Sequence, residues 1–288
     1  MGLSRNPLSG SGWFYEHCQM WPGCALSIQY KSLLLEMQTP FQLLQIFETE
    51  SCGRMLALDS RVQCTEADEF IYHEMLIHPA VFCHPAPRRV LVVGGGDGGA
   101  VRELLKHDGV GHIDLCEIDR NVVAASREFL PSLSCGLSDP RVSIHYDDGA
   151  VFVRQRRGFY DIIVSDASDP IGPGEALFRQ SFLEDIQNAL RPGGIFISQG
   201  ESFIVHFEFF RSFAGLMKEV FPSVSYSWFP VPTYPGGTLG VFLGGFAHDF
   251  RIPRRSPPPG FDNQVRYYSA ETHKASFVLP PFAADVLR

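Results

Sequence analysis

The chain has 288 residues, of which 45% are hydrophobic and 19% are charged, and its formal net charge is −8. This length and composition suit a folded enzyme with a sizeable core and exclude a disordered chain. The negative balance, without a long run of Lys or Arg, argues against nucleic-acid binding and favours small cationic substrates.

The N-terminal segment 1–12 is polar and lacks the apolar core of a signal peptide. No apolar run reaches the roughly 18 residues of a membrane span. We therefore expect a cytoplasmic protein that does not bind membranes. Seven cysteines are scattered without a Cys-x-x-Cys pair, which is typical of reduced thiols in a reducing compartment. The histidines show no metal-ligand spacing, so we expect no bound metal.

Short apolar or alternating segments between residues 26 and 65 predict a small antiparallel sheet. The predicted strands cover residues 25–30, 41–47 and 55–58. A helix over residues 66–77 is expected next, with Thr65 as its N-cap, and a stiff linker begins at Pro79. We place a domain boundary after residue 84, which separates a β-rich domain (1–84) from a catalytic domain (85–288).

Beyond residue 85 the pattern alternates between apolar strands and amphipathic helices. The predicted parallel strands cover residues 89–93, 112–116, 142–146, 160–165 and 194–198. Two further strand-like segments cover residues 224–229 and 238–243. This alternation predicts an α/β fold, in which a doubly wound, Rossmann-like (methyltransferase-type), mostly parallel sheet follows the small N-terminal antiparallel domain.

A glycine-rich turn, Gly-Gly-Gly-Asp-Gly-Gly at residues 94–99, follows the first parallel strand. A strand, a glycine turn and a helix N-terminus together form a nucleotide-binding corner. Asp97 is unusual in such a turn, because a carboxylate about 4 Å from a phosphate repels it by roughly 4 kcal/mol at an effective dielectric constant of about 20. The turn therefore favours a positively charged nucleoside over a dinucleotide such as NAD.

Acidic or amide side chains follow every strand of the predicted parallel sheet. They are Asp97, Glu117 with Asp119, Asp147 with Asp148, Asp166 with Asp169, and Gln199 with Glu201. Any one of them could equally be a helix cap, and Asp119 fits an N-cap best. Because ligands of such sheets bind at the carboxyl ends of the strands, five such positions in register predict a single site.

The positions of these residues suggest individual roles. Glu117 is placed to accept hydrogen bonds from both ribose hydroxyls, and Asp148 with Gly149 to contact an adenine amino group. Asp166 and Asp169 follow the central strand, where they can bind one amine of a dication and deprotonate the other, or simply stabilise a turn. The Pro/Gly-rich residues that follow, up to residue 174, would form a lid over the site.

These segments resemble the spermidine synthases, or polyamine aminopropyltransferases, over most of the chain. The motifs that carry the resemblance are Trp21-Pro-Gly23, residues 58–66, 68–70 and 72–75, the glycine turn, Cys116-Glu-Ile-Asp119, residues 166–173, Gln199-Gly-Glu201, residues 232–236 and residues 277–280. The glycine turn together with the Asp-x-Ser-Asp-Pro motif at residues 166–170 is nearly diagnostic of the family.

The resemblance implies transfer of an aminopropyl group from decarboxylated S-adenosylmethionine to putrescine, giving spermidine and methylthioadenosine without a cofactor. It implies a homodimer built through the N-terminal strands, and Asp166 as the general base. The implied donor contacts are Gln42, His73, Asp97, Glu117, Asp148 and Gly149. The implied putrescine contacts are Trp21, Tyr72, Asp166, Asp169, Gln199 and Tyr234. The family often has Gln where His73 stands, and a histidine that only packs on its helix is an equally good interpretation there.

Three alternatives stay open at this stage. A putrescine N-methyltransferase would use the full S-adenosylmethionine, but Asp97 would repel its carboxylate, and the region of Tyr234 also favours the decarboxylated donor. A spermine or thermospermine synthase would differ in the length of its acceptor pocket, which the sequence does not show. A non-catalytic homologue is disfavoured because Asp166 and Asp169 are both present.

Overall fold

The computed structural model describes residues 10–18, 20–168, 170, 172–246 and 249–288. These residues form a five-stranded antiparallel sheet at the N-terminus and a seven-stranded, mostly parallel sheet after it. The α/β fold class predicted from the sequence, with a small β-rich domain ahead of a doubly wound sheet, is confirmed.

The first sheet is an antiparallel meander in which neighbours in the chain are neighbours in space. Its strands are β1 (Gly12–His17), β2 (Ala25–Gln38), β3 (Leu43–Thr49), β4 (Arg54–Leu58) and β5 (Arg61–Thr65). Strand β1 was not predicted from the sequence, since it lies ahead of the segment expected to be strand-like. In β1, Phe14 is buried, whereas Trp13 and Tyr15 are exposed, so aromatic residues on both faces hide the usual alternation of apolar and polar residues.

The second sheet has the strand order β11-β12-β10-β9-β6-β7-β8. Its strands are β6 (Arg89–Gly94), β7 (His112–Cys116), β8 (Val142–His145), β9 (Tyr160–Asp166), β10 (Leu190–Gln199), β11 (Ser223–Pro230) and β12 (Thr238–Gly245). The pairs from β8 to β10 are parallel, and β12 runs antiparallel to both of its neighbours. The chain proceeds from β6 to one side and resumes at β9 on the other, so the carboxyl ends of β6 and β9 form a topological switch point where ligands bind.

Helices pack on both faces of the second sheet, and one of them also packs on the first sheet. They are α1 (Glu69–Cys83), α2 (Gly99–Leu105), α3 (Arg120–Phe129), α4 (Pro131–Ser134), α5 (Gly149–Arg154), α6 (Gln180–Ala189), α7 (Phe207–Val220), α8 (Ala270–Ser276) and α9 (Pro281–Leu287). Short 3-10 helices cover Cys135–Ser138, Gly172–Phe178, Pro235–Gly237 and Phe261–Asn263. Within the described part of the chain, none of the helices has the length and apolar character needed to cross a membrane.

Both faces of the parallel sheet are buried, which explains its nearly continuous apolar strands. Along β6, Val90 and Val92 face a layer that contains α1 and α2, whereas Leu91 and Val93 face a layer that contains α5, α6 and α7. A third cluster joins α3 to the first sheet, with Val122 and Phe129 packed among residues of β3 and β4. The two sheets therefore share a packed boundary rather than a flexible linker.

The predicted start of the helix after the first sheet was wrong. Helix α1 begins at Glu69, and the hydroxyl of Thr65 donates to the carboxylate of Asp68 at 2.8 Å instead of capping the helix. Asp68 also accepts hydrogen bonds from the backbone N–H and the hydroxyl of Thr233, at 2.8 and 2.9 Å. These bonds tie the start of α1 to the segment that carries Tyr234.

The predicted end of this helix and the predicted linker were wrong as well. Pro79 is buried inside α1, which continues to Cys83. Residues 72–83 are all buried, so packing on every side offsets the backbone hydrogen bond that a proline removes. Because α1 packs on the second sheet, the domain boundary after residue 84 stays a prediction.

Glu74 connects α1 to the C-terminal region. Its buried carboxylate accepts hydrogen bonds from the backbone N–H groups of Arg266, Tyr267 and Tyr268, each at 2.8 Å. We expect Glu74→Ala to lower the free energy of unfolding by about 3 kcal/mol, because it leaves buried donors without an acceptor. Urea denaturation at fixed protein concentration measures this change.

The matched control is Glu128→Ala, since Glu128 is an exposed residue of α3. That substitution should change the free energy of unfolding by less than about 0.5 kcal/mol. Equal effects of the two substitutions would contradict an anchoring role for Glu74.

Candidate active site

A cavity of about 170 Å³ lies at the switch point, between the carboxyl ends of the parallel strands and the first sheet. Most of the predicted contacts line it. Those on its wall are Gln42, Tyr72, Asp97, Glu117, Asp148, Gly149, Asp166, Gln199 and Tyr234. Residues from β1, β4 and β5 close the opposite side, so the two sheets share the site.

Three predicted contacts do not lie on this wall. His73 is fully buried behind the cavity. Trp21 is 39% exposed and lies off the cavity surface. Asp169 falls outside the residues that the structure describes. The predicted lid follows Asp169 and extends to residue 174, where Gly174 lines the cavity, as do Ala167 and Ser168 ahead of it.

The glycine turn is forced by the close approach of β6 and β9. Gly94 pairs with Asp166 across the two strands, and the Gly95 N–H donates to the Asp166 carbonyl at 2.9 Å. Gly94 has a φ of +79°, and a Cβ there would lie 2.2 Å from the same carbonyl oxygen. Only glycine fits, and its small size brings the turn directly against Asp166.

Asp97 belongs to a buried network of charged side chains. One of its oxygens accepts the Gly99 N–H at 2.6 Å and lies 3.4 Å from Nε2 of His73. On the other side of the ring, Nδ1 of His73 is 2.6 Å from Glu69. Arg102 holds both oxygens of Glu69 through two nitrogens, each at 2.8 Å. His73 is thus held between two carboxylates.

This network separates the ionisation of two neighbouring acids. Burial opposes charge on His73, but Asp97 and Glu69 more than offset it and hold the pKa of His73 well above its ordinary value. Burial likewise raises the pKa of Asp97, but the charge and hydrogen bond of His73, together with the Gly99 N–H and the charge of Arg102, outweigh it, and the net pKa is lowered. Burial and then the charge of Asp97 raise the pKa of Asp166 to about 6. Asp97 is therefore a permanent anion, and Asp166 titrates near neutrality.

The side chain of Asp166 has one satisfied oxygen and one available oxygen. The Tyr72 hydroxyl donates to Oδ1 at 2.5 Å. The buried Oδ2 has no hydrogen-bond partner among the described residues. A carboxylate that lines the cavity, with a pKa near 6 and one oxygen left without a hydrogen-bond partner, has the properties of a general base.

Glu117 and its neighbours form the side of the cavity suited to a nucleoside. Its two oxygens accept the N–H groups of Gly96 and Asp119, at 3.1 and 2.9 Å. Burial raises its pKa to about 7. Asp119 caps α3, as predicted, and its second oxygen is 3.4 Å from Nε2 of Gln42. Gln42, a residue of the first sheet's β2–β3 connection, is thereby tied to the nucleoside side.

Asp148 also acts as a helix cap. It accepts the N–H groups of Ala150 and Val151, at 2.8 and 3.4 Å, and begins α5. It is nevertheless exposed at the cavity wall next to Gly149. The cap and the predicted ligand contact are therefore compatible.

His73, Asp97 and Asp166 offer ligand atoms that all lie within 4.8 Å of one another. Both ring nitrogens of His73 face carboxylates, however, and its raised pKa keeps both of them protonated. A doubly protonated imidazole has no lone pair for a metal ion. The cluster is better explained as an ion-pair network.

A second polar cluster lies on the cavity wall, and the sequence analysis did not identify it as a unit. Glu201 accepts a hydrogen bond from Gln199 at 2.7 Å, and its other oxygen is 2.7 Å from Nδ1 of His206. Glu16 of β1 also lines the cavity, and burial raises its pKa to about 7. His206 immediately precedes α7, a helix that the sequence predicts, so its position near Glu201 could have been inferred. Glu16 could not, because its strand β1 was not predicted.

Comparison with known proteins bears on this geometry. A model of the spermine/spermidine synthase domain matches residues 69–249, and a model of the spermidine synthase tetramerisation domain matches residues 12–66.

The chain belongs to the spermine/spermidine synthase family.

Curated members of the family are similar over almost their whole length. A spermidine synthase of Dictyostelium discoideum is 44% identical and covers 96% of this chain and 98% of its own. A spermidine synthase of Schizosaccharomyces pombe is 41% identical, with coverage of 98% and 96%. A polyamine aminopropyltransferase of Leptospira biflexa is 43% identical, with coverage of 96% and 98%.

Solved structures agree with this assignment. A spermidine synthase in complex with the transition-state analogue AdoDATO has a TM-score of 0.90 at 34% identity and covers 100% of this chain and 98% of its own. The spermidine synthase of Thermotoga maritima has a TM-score of 0.89 at the same identity, with coverage of 100% and 97%. The family, the enzyme class and the spermidine synthase activity predicted from the sequence are confirmed, and the alternative activities are not favoured.

The position of His73 in this family member can be tested through Gly99. A Cβ at Gly99 would lie 2.2 to 2.5 Å from three atoms of the His73 ring. We expect Gly99→Ala to displace the ring from Asp97 and to lower turnover by about 10- to 100-fold, because small misplacements in a site have effects of this size. Steady-state kinetics measure the loss.

The control is Gly215→Ala in α7, where a Cβ meets no atom within 4 Å. There the added methyl should leave turnover unchanged and raise the melting temperature slightly, since alanine favours a helix. Unaltered turnover in Gly99→Ala would show that the placement of His73 does not matter.

Proposed function

We propose that the cavity binds decarboxylated S-adenosylmethionine beside putrescine, and that Asp166 removes the proton from the attacking amine. The observation that carries this proposal is the pairing of Asp97, a permanent anion, with Asp166, a titrating acid that lines the cavity and has one oxygen without a hydrogen-bond partner among the described residues. A positively charged donor and a cationic acceptor both suit such an anionic wall.

The donor is proposed to lie along the glycine turn. Glu117 would bind the ribose hydroxyls, Asp148 and Gly149 the adenine, and Gln42 the nucleoside from the side of the first sheet. Asp97 would bind the terminal ammonium of the aminopropyl group. The same charge would repel the carboxylate of ordinary S-adenosylmethionine, so the residue that binds the correct donor also rejects the incorrect one.

The acceptor is proposed to lie between the aromatic rings and Asp166. Tyr72 and Tyr234 have ring centroids 6.2 Å apart in an edge-on arrangement, which offers apolar surface for a butyl chain. The hydroxyl of Tyr234 donates to the Gln63 carbonyl, which fixes that ring. Gln199 would contact the acceptor, and Trp21 and Asp169 remain proposed contacts from the sequence alone.

The chemical step follows from these placements. As the amine loses its proton to the carboxylate of Asp166, the nitrogen lone pair attacks the methylene next to the sulfonium. The new C–N bond forms as the C–S bond breaks, and the pair of electrons from that bond neutralises the sulfur of methylthioadenosine. The sulfonium already supplies a good leaving group, so the reaction needs no cofactor. Holding both substrates in one cavity supplies proximity.

His73 is proposed to act through Asp97 rather than by touching the donor. Its imidazolium keeps Asp97 ionised, and Glu69 and Arg102 keep the imidazole charged and in place. This role differs from both interpretations of His73 that the sequence left open, a donor contact and a histidine that only packs. The ring is fully buried, and it acts on the site through its charge beside Asp97.

The assembly is proposed to be a homodimer that forms through the first sheet. Trp13 and Tyr15 lie on the same outward face of β1, on either side of the buried Phe14, and are 53% and 54% exposed, which supports a partner on that face. The matched tetramerisation-domain model supports an oligomer in general. A cytoplasmic location is proposed because the seven cysteines are scattered through the sequence and form no Cys-x-x-Cys motif, a pattern typical of a reducing compartment.

Purified protein incubated with putrescine and decarboxylated S-adenosylmethionine should release methylthioadenosine and spermidine. We expect Asp166→Asn to lower turnover by about 100-fold or more, because the amide cannot accept the proton. Donor affinity, measured by calorimetry, should change little. Chromatography of the products measures turnover.

Asp185→Asn provides the control, since Asp185 of α6 bonds the exposed Arg154 at 3.1 Å and does not line the cavity. It should retain full turnover. Release of S-adenosylhomocysteine from ordinary S-adenosylmethionine would overturn the proposed donor, and normal turnover in Asp166→Asn would remove this residue from the role of base.

The raised pKa of Asp166, about 6, predicts the acid limb of the pH profile. The base is ionised above this pH and protonated below it, so kcat/KM for the donor should fall by about tenfold per pH unit below pH 6. Assays at limiting donor from pH 5 to 8 measure the limb, and full recovery at pH 7.5 distinguishes titration from unfolding. A flat profile down to pH 5 would contradict the assignment.

A further inference from the structure

Cys18 and Cys24 face each other at the end of the β1–β2 hairpin. The register pairs His17 with Ala25, and the Cys18 N–H donates to the Cys24 carbonyl at 3.3 Å, which extends the register by one residue. Directly opposed residues of this kind have Cα atoms about 5.5 Å apart and side chains on the same face. This separation lies within the range of roughly 4.4 to 6.8 Å that a disulfide spans.

The shared face of these two cysteines is the inner one. In β1, Phe14 and Glu16 are buried, and Cys18 continues this alternation as a partly buried residue on the cavity wall. Opposite them, Ile28 is buried and Cys24 is partly buried on the same side of the hairpin. Cys18 therefore lies on the cavity wall, and Cys24, which does not line the cavity, is partly buried on the same side of the hairpin.

His206 and Glu201 are arranged to activate Cys18. The sulfur of Cys18 is 3.2 Å from Nε2 of His206, and Nδ1 of the same ring is 2.7 Å from Glu201. Glu201 itself is fixed, because its backbone has a φ of +56° and its carbonyl accepts a hydrogen bond from Tyr226. A thiol, an imidazole and a carboxylate in this order allow the imidazole to take the thiol proton and stabilise the thiolate.

We propose that Cys18 is an oxidation site, at which hydrogen peroxide converts Cys18 and Cys24 into a reversible disulfide. The Cys18 thiolate attacks one peroxide oxygen, the O–O bond breaks, and the departing hydroxide takes the proton held by His206 to become water. Cys24 then attacks the sulfur of the sulfenic acid and forms the S–S bond. The second hydroxide leaves with the Cys24 proton, so two thiols lose two electrons and one peroxide becomes two waters.

The disulfide changes the wall next to the proposed acceptor. Bonding to Cys24 draws the Cys18 sulfur away from His206, and His206 is bonded to Glu201, which is bonded to Gln199. Oxidation would thus disturb the part of the cavity that holds the diamine and lower aminopropyl transfer. This effect on transfer rests on the proposed function, whereas the thiol chemistry does not.

Peptide mass mapping of the full-length protein tests the site without reference to catalysis. After brief treatment with a small excess of hydrogen peroxide and alkylation of the remaining thiols, we expect a peptide that links Cys18 to Cys24. The exposed Cys135 in the same molecule is the internal reference and should stay reduced. Absence of the linked peptide, or equally fast oxidation of Cys135, would overturn the proposal.

Two variants separate activation from pairing. His206→Gln should slow formation of the linked peptide by about 10-fold, because less Cys18 is present as thiolate. Cys24→Ser keeps His206 intact and should leave Cys18 trapped as a sulfenic acid, which dimedone labels. An unlabelled Cys18 in Cys24→Ser, or an unchanged rate in a folded His206→Gln protein, would contradict the mechanism.

Activity is measured on the same samples. The oxidised protein should release methylthioadenosine about 10-fold more slowly, and dithiothreitol should restore the rate. A disulfide in a protein whose reduced form never releases methylthioadenosine would overturn the proposed function and leave the oxidation site standing. An active protein that forms no disulfide would overturn the oxidation site and leave the proposed function standing. A disulfide without loss of rate would overturn only the control of transfer.

Discussion

The site depends on holding several carboxylates close together and away from bulk water. Like charges in such a space resist ionisation unless positive charge is placed among them. His73 and Arg102 supply it on one side only, so the pKa of Asp97 is lowered while that of its neighbour Asp166 is raised to about 6. Two acids a few ångströms apart thereby acquire different tasks, one a fixed charge and the other a proton acceptor. The asymmetric placement of cations behind the cavity is therefore the constraint on which the chemistry rests.

The backbone makes this crowding achievable. The strand order reverses between β6 and β9, which leaves an open crevice at their carboxyl ends. Gly94 lets the turn press against the Asp166 carbonyl, and Gly99 leaves room for the His73 ring behind Asp97. Missing side chains are as important here as the charged ones, since each glycine makes space for one member of the network.

Sequence reasoning predicted the alternating α/β fold and most of the cavity wall, because strand periodicity and the carboxyl ends of parallel strands place residues without knowledge of their contacts. It could not predict that Pro79 lies inside α1, since that depends on packing from every side. It placed His73 among the donor contacts, whereas the fold puts the ring behind Asp97. It also could not predict that His206, which is bonded to Glu201, contacts Cys18. Cys18 and His206 are 188 positions apart in the chain, and such a contact leaves no local sequence pattern.

The cavity wall comes from two different sheets. The large sheet supplies the glycine turn, Glu117 and Asp166, whereas the small sheet supplies Glu16 and residues of β4 and β5 from the opposite side. This division has an evolutionary consequence. Because Asp97 and Asp166 both belong to the large sheet, substitutions in the meander can reshape the opposite wall of the cavity while this pair of acids is inherited unchanged.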